Sequence, residues 1–335
     1  MRTRSLLLLF ILLPFARALG DAVFLLEEPY GHFGSWIPTG HAAVYLTEVC
    51  AASPTRLRRC EPGETGAVIS RYHRIAGFDW VSIPLIAYLY AVDRVQDIPD
   101  SASAESVEEL RDSYRREHLR MLAPDDVDGR APKGDWYQLV GSAYDRTLYG
   151  FRIKTTASQD DAFIDAYNNR DNKARYNLFR HNCADFAREM LNFYAPHAIH
   201  RSFLADAGIT TPKQVAKSLV AYMKRHPELS PSAFRIPQVP GNIKRSKSPK
   251  GVLEGLLKTK KYLLPLAILH PFVAAGVAAT YLTDGRFDPR RDASLFDIAS
   301  EIKPSPPTVN RSKSTISAAA LLLPTFSPKG TERAP

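Results

Sequence analysis

Cysteine is scarce in this chain: 335 residues hold three, Cys50, Cys60 and Cys183. Several well-known site spacings are missing altogether. No His-Glu-x-x-His pair is present to seat zinc. No Gly-x-Ser-x-Gly elbow presents a serine nucleophile. No helix-turn-helix, zinc-finger or single-strand-binding signature reads nucleic acid, and no internal repeat recurs. The formal net charge of +9 therefore needs another explanation. Lys and Arg cluster in one stretch, which suits an anionic lipid surface or acidic polymer better than a DNA-reading face. Hydrophobic content is an ordinary 45%, so a packed core is expected. The length reads as one medium domain with extras.

The N-terminus points to export. Arg2 and Arg4 precede an unbroken apolar run, Leu6 to Phe15, and Ala16-Arg17-Ala18 has the small-x-small form of a cleavage site. This is the pattern of a secretory signal peptide over residues 1–18; an uncleaved anchor is the alternative, although the run is short for a full span. The expected compartment is the periplasm or cell envelope. An oxidising compartment favours pairing, and an odd number of cysteines leaves one over. Cys50 and Cys60 bracket a short loop and are expected to form a disulfide. Cys183 is then a free thiol, functional or buried and inert.

Along the chain, Ala22 to Glu27 and His41 to Val49 read as strands, as do Gly66 to Ile75 and Arg175 to Phe179. Asp79 to Val92 is strongly apolar, a core helix or a hydrophobic rim. Glu105 to Leu122 is helical by period, and Trp136 to Thr156 is rich in β-formers with a turn near Tyr144–Arg146. Ser158 is the expected cap of a short amphipathic helix, and Thr210-Thr211-Pro212 opens another. After Ser230 the composition turns Pro-rich and basic, predicting an extended linker over 231–257. Tyr262 to Leu282 then runs 21 residues without a charge. As one helix it would be about 30 Å long, near a bilayer core, so 258–284 is expected to span or attach to a membrane. Residues 285–335 are expected to be largely disordered.

The sharpest local feature is "RHNCADFAREMLNFY". Asn182 is a strong N-cap type, Asp185 follows at the capping-box distance, and Cys183 falls at the first helical position. Free N–H groups and the macrodipole there should favour a thiolate and contribute to an oxyanion hole. His41 opens a strand after a Gly-rich loop, where it can face such a helix; a satisfied structural histidine is the plain alternative.

"TGHAAVYL" followed much later by "YNLFRHNCADFA" resembles the circularly permuted branch of the NlpC-type papain-like superfamily. That branch includes the lecithin:retinol acyltransferase-like proteins and bacterial lipid or peptide amidases. The resemblance covers roughly Asp21 to Tyr194. It implies an α+β domain over 19–230, with a small antiparallel sheet packed on the Cys-bearing helix, His41 as base and Cys183 as nucleophile. The third polar group should come from a following strand, which offers Ser70 and His73. If Cys50 and Cys60 stand opposite each other in a regular hairpin, residue 41 faces 69, and His73 is preferred; a register shift by one reverses the choice.

The expected function is therefore an exported, membrane-attached cysteine hydrolase or acyltransferase acting on an amide or ester of a cell-wall peptide or a lipid. No cofactor, metal, nucleic acid or obligate protein partner is expected. A zinc site from His41, His73 and Cys183 has the ligand types without the close spacing. The rival reading is a non-catalytic envelope binding or scaffold protein that keeps the fold.

Overall fold

The computed structural model describes residues 18–31, 38–73, 75–202, 206, 208–257, 260–282, 286–291 and 293–301. The expected signal peptide lies outside them but for Ala18, which opens the first strand. The fold is α+β. Its spine is β1 (Ala18–Glu27), whose continuous apolar run is buried on both faces, as a central strand requires. Ala22, Phe24 and Leu26 face one hydrophobic core, and Val23 and Leu25 face a second.

Antiparallel β2 (His41–Leu46) lies on one side of β1 and β7 (Leu148–Thr156) on the other. Outward from β2 come β5 (Ala67–Ser70) and β6 (Val81–Pro84). Outward from β7 come β8 (Ser232–Ile236) and β9 (Ser294–Leu295), the last pairing parallel. The described sheet therefore has seven strands, ordered β6-β5-β2-β1-β7-β8-β9. It is larger than expected because the stretch taken for linker and tail supplies the two strands at one end, where β9 pairs with only two residues of β8 and leaves the rest of it as an edge. Proline-rich composition disfavours a central strand but is compatible with an edge, and β8 itself lies between prolines, at 231 and 237.

The first core is roofed by α4 (Ala157–Asn169), α5 (Cys183–Tyr194) and α6 (Pro212–Met223). The opposite face carries α1 (Leu85–Tyr90), α2 (Ala104–His118) and α3 (Ser142–Asp145). Asp79 to Val92 thus splits at Pro84 into a strand and a buried helix. The cap of α4 is Thr156, whose side chain accepts from Gln159 N–H, rather than Ser158. Arg175 to Phe179 is a turn, not a strand: Asn177 Oδ1 accepts from the N–H groups of Phe179 (2.9 Å) and Arg180 (3.3 Å).

The apolar run beyond residue 258 does not form one helix. After α7 (Val252–Leu257) come α8 (Lys260–Leu269) and α9 (Pro271–Thr280), broken where His270 caps and Pro271 starts the second. No described helix is long and apolar enough to cross a membrane. The last described element is α10 (Ile298–Glu301).

The hairpin β3 (Val49–Ser53) and β4 (Arg56–Arg59) forms a separate two-stranded sheet. The Cys50–Cys60 disulfide is present, with Cα atoms 4.9 Å apart. The two cysteines are not directly opposed: Cys50 faces Arg58, and Cys60 N–H bonds to Glu48 O. Closing about ten residues is worth roughly 2–3 kcal/mol in the chain-entropy account. The Cys50→Ala/Cys60→Ala double variant should lose about that much in denaturant unfolding. An unfolding midpoint equal to that of the wild type would show that the bridge does not stabilise the fold.

Candidate active site

The site begins with a backbone constraint. Gly40 has φ +78°, and a Cβ there would stand 2.0 Å from Glu27 O. Only glycine allows the loop to enter β2 this close to the end of β1. His41 then pairs with Glu27 as the last rung of the β1–β2 ladder.

The β2–β5 ladder pairs Val44 with Ile69 and Leu46 with Ala67. Continued, it brings Ala43 opposite Ser70 and His41 opposite Tyr72, three residues away from the register expected from the cysteines. The β3–β4 hairpin belongs to the other sheet, so its pairing does not constrain His41. In consequence the His41 ring stacks on Tyr72, with centroids 4.7 Å apart, and Nε2 lies 2.8 Å from Ser70 Oγ. His73 is corrected from its expected place: its exposed ring packs edge-on against Tyr176 at the cavity mouth and does not contact the imidazole.

Ser70 fixes the tautomer. Its single hydroxyl proton is donated to Ala42 O at 2.9 Å, so Oγ can only accept at His41. Nε2 therefore carries the ring proton and Nδ1 carries the lone pair, as a base requires. Burial, and after it the positive charge of Arg146, push the His41 pKa down to about 3. The resting imidazole is neutral.

Cys183 sits where the sequence places it, at the first position of α5. Asn182 Oδ1 accepts from Asp185 N–H at 2.9 Å, and its amide donates to Leu178 O and Thr210 O. That side chain is fully committed as a cap. Asp185 does not complete a capping box; its carboxylate instead takes Thr210 Oγ1 at 2.5 Å and Arg201 at 2.7 Å. The backbone N–H groups of Ala42, Ala184 and Cys183 itself favour its thiolate. Burial outweighs them and the Glu27 charge adds to it, pushing the thiol up to about 11. The expectation of a lowered thiol pKa is thus reversed: the helix terminus acts as expected, but desolvation is larger. Cys183 keeps some exposure and lines a cavity. Among the described residues no hydrogen bond joins Sγ to the imidazole.

Cys183 and His41 line one cavity of about 630 Å³. Its walls are largely apolar and aromatic, including Tyr72, Tyr176, Leu178, Phe179 and Ile209. Two buried arginines also line it. Arg71 pairs with Asp79 at 2.6 Å and lies over the Phe186 ring. Arg146 reaches Glu27 Oε2 at 3.1 Å and stands 4.3 Å from the Tyr30 ring. Glu27 is fully buried, accepts from the Tyr88 hydroxyl, and has its pKa raised chiefly by burial. Arg111 holds this corner: its Nε and Nη2 donate to Val140 O and Gly141 O, and Nη2 meets Asp145 Oδ2 at 2.5 Å.

Sequence reasoning weighed Ser70 but missed Glu27, Tyr72 and Arg146. The available signal was an acidic pair, Glu27-Glu28, ending an apolar strand; a carboxylate there must find a buried partner. His41, His73 and Cys183 do not gather their ligand atoms into a metal-sized group. The described groups that do so are Asp93–Glu117–His118, which is exposed, and Cys50–Cys60–Glu64, whose sulfurs are spent in the disulfide.

No family model and no curated protein matches the chain. Among solved structures it is similar to a type VI secretion system effector, TseH, at 13% identity and a TM-score of 0.27. That match covers 65% of this chain and 93% of the effector. A TM-score this low carries no argument, and the site stands on its own geometry.

The depressed His41 pKa has a stability consequence of definite sign. Between 6.5 and about 3 the unfolded chain binds a proton at this position and the folded chain does not. This histidine therefore makes stability fall as pH drops through that window. His41→Gln, which removes the titration, should lose less stability than wild type between about pH 7 and about pH 4.5 in urea unfolding. Equal losses in the two proteins would mean that His41 is not held neutral by the fold.

Proposed function

We propose that the chain is a cysteine hydrolase or acyltransferase of permuted papain-like arrangement, with Cys183 as nucleophile and His41 as base. One observation carries the reading. A free thiol at the first position of a capped helix lines the same cavity as a neutral imidazole whose tautomer leaves Nδ1 unprotonated. The order of parts, His on an early strand and Cys at the start of a later helix, agrees with the resemblance noted in the sequence.

The resting pair is neutral thiol and neutral imidazole rather than an ion pair. Proton transfer then accompanies attack: Sγ bonds to the carbonyl carbon of an amide or ester while its proton passes to Nδ1. The carbonyl oxygen becomes an oxyanion that the Cys183 N–H can stabilise. Collapse expels the amine or alcohol, which takes the proton from His41 and leaves a thioester on Cys183. Water resolves it in a hydrolase, a second nucleophile in a transferase. Ser70 positions the ring by accepting from Nε2.

The raised thiol pKa and the missing sulfur–imidazole hydrogen bond favour the rival, a non-catalytic envelope protein. An activated acyl ester or thioester decides between them, followed by intact-mass spectrometry. The expected result is a single acyl adduct on Cys183, absent in Cys183→Ala. His41→Ala should slow its formation about 10²–10⁴-fold, the usual worth of a general base. Ser70→Ala, which frees the ring without removing it, should cost less. Absence of an adduct on Cys183 leaves the rival reading in place.

We also propose that the protein is exported and lies on an anionic membrane surface. The disulfide suits an oxidising compartment. Leu264, Ile268, Leu269 and Phe272 of α8 and α9 are exposed, Phe272 at 91%. Each of these helices has ten residues, about 15 Å and half a bilayer core, which suits burial along one leaflet. Five Lys or Arg from Lys244 to Lys258 precede them, Lys260 and Lys261 open α8, and all seven complement acidic headgroups. The intact protein should float with vesicles containing phosphatidylglycerol, and serine at those four apolar positions should abolish flotation. Truncation after Ser230 is unsuitable, since it removes β8 and β9. Wild-type protein that stays at the bottom of the gradient would end the proposal.

A further inference from the structure

The proposed chemistry leaves Arg146 without a task. It is 3% exposed, lines the cavity beside His41 and Cys183, and follows directly on α3. A guanidinium has five N–H donors. Here the recorded polar contact is the one with Glu27 through Nη1, and Nε has no hydrogen-bond partner among the described residues. Nε is sealed from the cavity, whereas Nη2, which also makes no hydrogen bond among the described residues, is not sealed and can donate to a ligand held there. Arginine in particular matches planar or tetrahedral oxygen anions.

The surrounding charges agree. Asp145, next in sequence, is taken by Arg111. Arg71 is taken by Asp79. Glu27 is the close counter-ion of Arg146, and its carboxylate is divided among Arg146, the Tyr88 hydroxyl and Ser142 Oγ. The rest of the wall is mostly apolar, from Tyr30 and Tyr72 through Leu178 and Phe179 to Ile209.

We propose that the cavity takes an acyl substrate with an apolar body and one anionic oxygen group, a carboxylate or a phosphoryl, and that Arg146 binds that group. This specifies the substrate of the Cys183–His41 site and rests on that reading. It also has a consequence for the reaction. The Arg146 charge disfavours a protonated His41 in the unliganded protein. An anion seated on Arg146 offsets that charge, so a correct substrate makes its own base more willing to take the thiol proton.

The test is binding, not turnover, so that it is independent of acyl transfer. Full-length Cys183→Ala protein is titrated calorimetrically with octanoate, octyl phosphate and the uncharged octanamide. At least one anion should bind about tenfold or more tighter than octanamide, the worth of one charge-assisted hydrogen bond. Whichever anion is preferred identifies the source, a carboxylic acid or a phosphate ester. Adding Glu27→Gln, which removes the competing carboxylate, should tighten the anions several-fold and leave octanamide unchanged. Adding both Glu27→Gln and Arg146→Gln, which avoids stranding a buried charge, should bring the three ligands to equal affinity. Equal binding of all three by the Cys183→Ala protein, no binding of any, or an anion preference that survives the loss of Arg146 would each overturn the proposal. Anion preference without an acyl adduct on Cys183 in the wild type would instead refute the catalytic reading alone.

Discussion

The pairing of Glu27 with His41, the last rung between β1 and β2, is the constraint on which the site depends. Gly40 permits it by letting the chain pass against Glu27 O. On one side it delivers the imidazole to Tyr72 and Ser70. On the other it buries a carboxylate that draws in Arg146 and Tyr88. Cys183 is brought to the same place by a different route. The apolar face of α5 packs on the side of β2 that carries Ala42, Val44 and Leu46, and its first turn meets Ala42 N–H. One backbone rung thus couples thiol, imidazole and guanidinium, and displacement of Gly40 would disturb all three together.

What could be read from the sequence was what is locally encoded. Helix α5 begins and ends where its cap residue and apolar spacing place it, because Asn182 and the face from Phe186 to Tyr194 act within a few turns. The disulfide follows from compartment and proximity in the chain. Strand β1 is legible as a short apolar run. The failures have a common cause. Ser70 rather than His73 meets His41 because of the β2–β5 register, which joins segments about thirty residues apart and is not carried by either. Arg146 enters the site through the β1–β7 pairing and the anchoring of α3 by Arg111, both long-range. The segment at Arg175–Phe179 has β-forming residues, but Asn177 satisfies its neighbours' N–H groups locally and stops a strand from forming. The apolar run after residue 260 has the composition of a span and the wrong backbone, since Pro271 removes a donor where one helix would continue.

Electrostatics gives the site its character. A helix N-terminus and three N–H groups draw the thiol toward ionisation, and burial draws it back with greater effect. The imidazole is held neutral by burial and by Arg146. Both groups are therefore dormant without a ligand, in contrast to a site that stores a thiolate–imidazolium pair. Low resting reactivity protects a thiol, since oxidation proceeds through the thiolate.

Arg152 lies on β7 between two carboxylates that are far apart in the chain, Asp21 at 3.0 Å and Glu301 at 2.5 Å. Glu301 also accepts from the Tyr45 hydroxyl at 3.1 Å. The first strand is thus tied to a residue 280 positions later, while β8 and β9 close the far edge of the same sheet. Such non-local closure makes folding slow, because the loop entropy must be met before these contacts reward it. A ribosome would release most of this chain before its sheet could be completed. The ion pair of Arg152 with Glu301 would then be among the last contacts to form in the nascent protein.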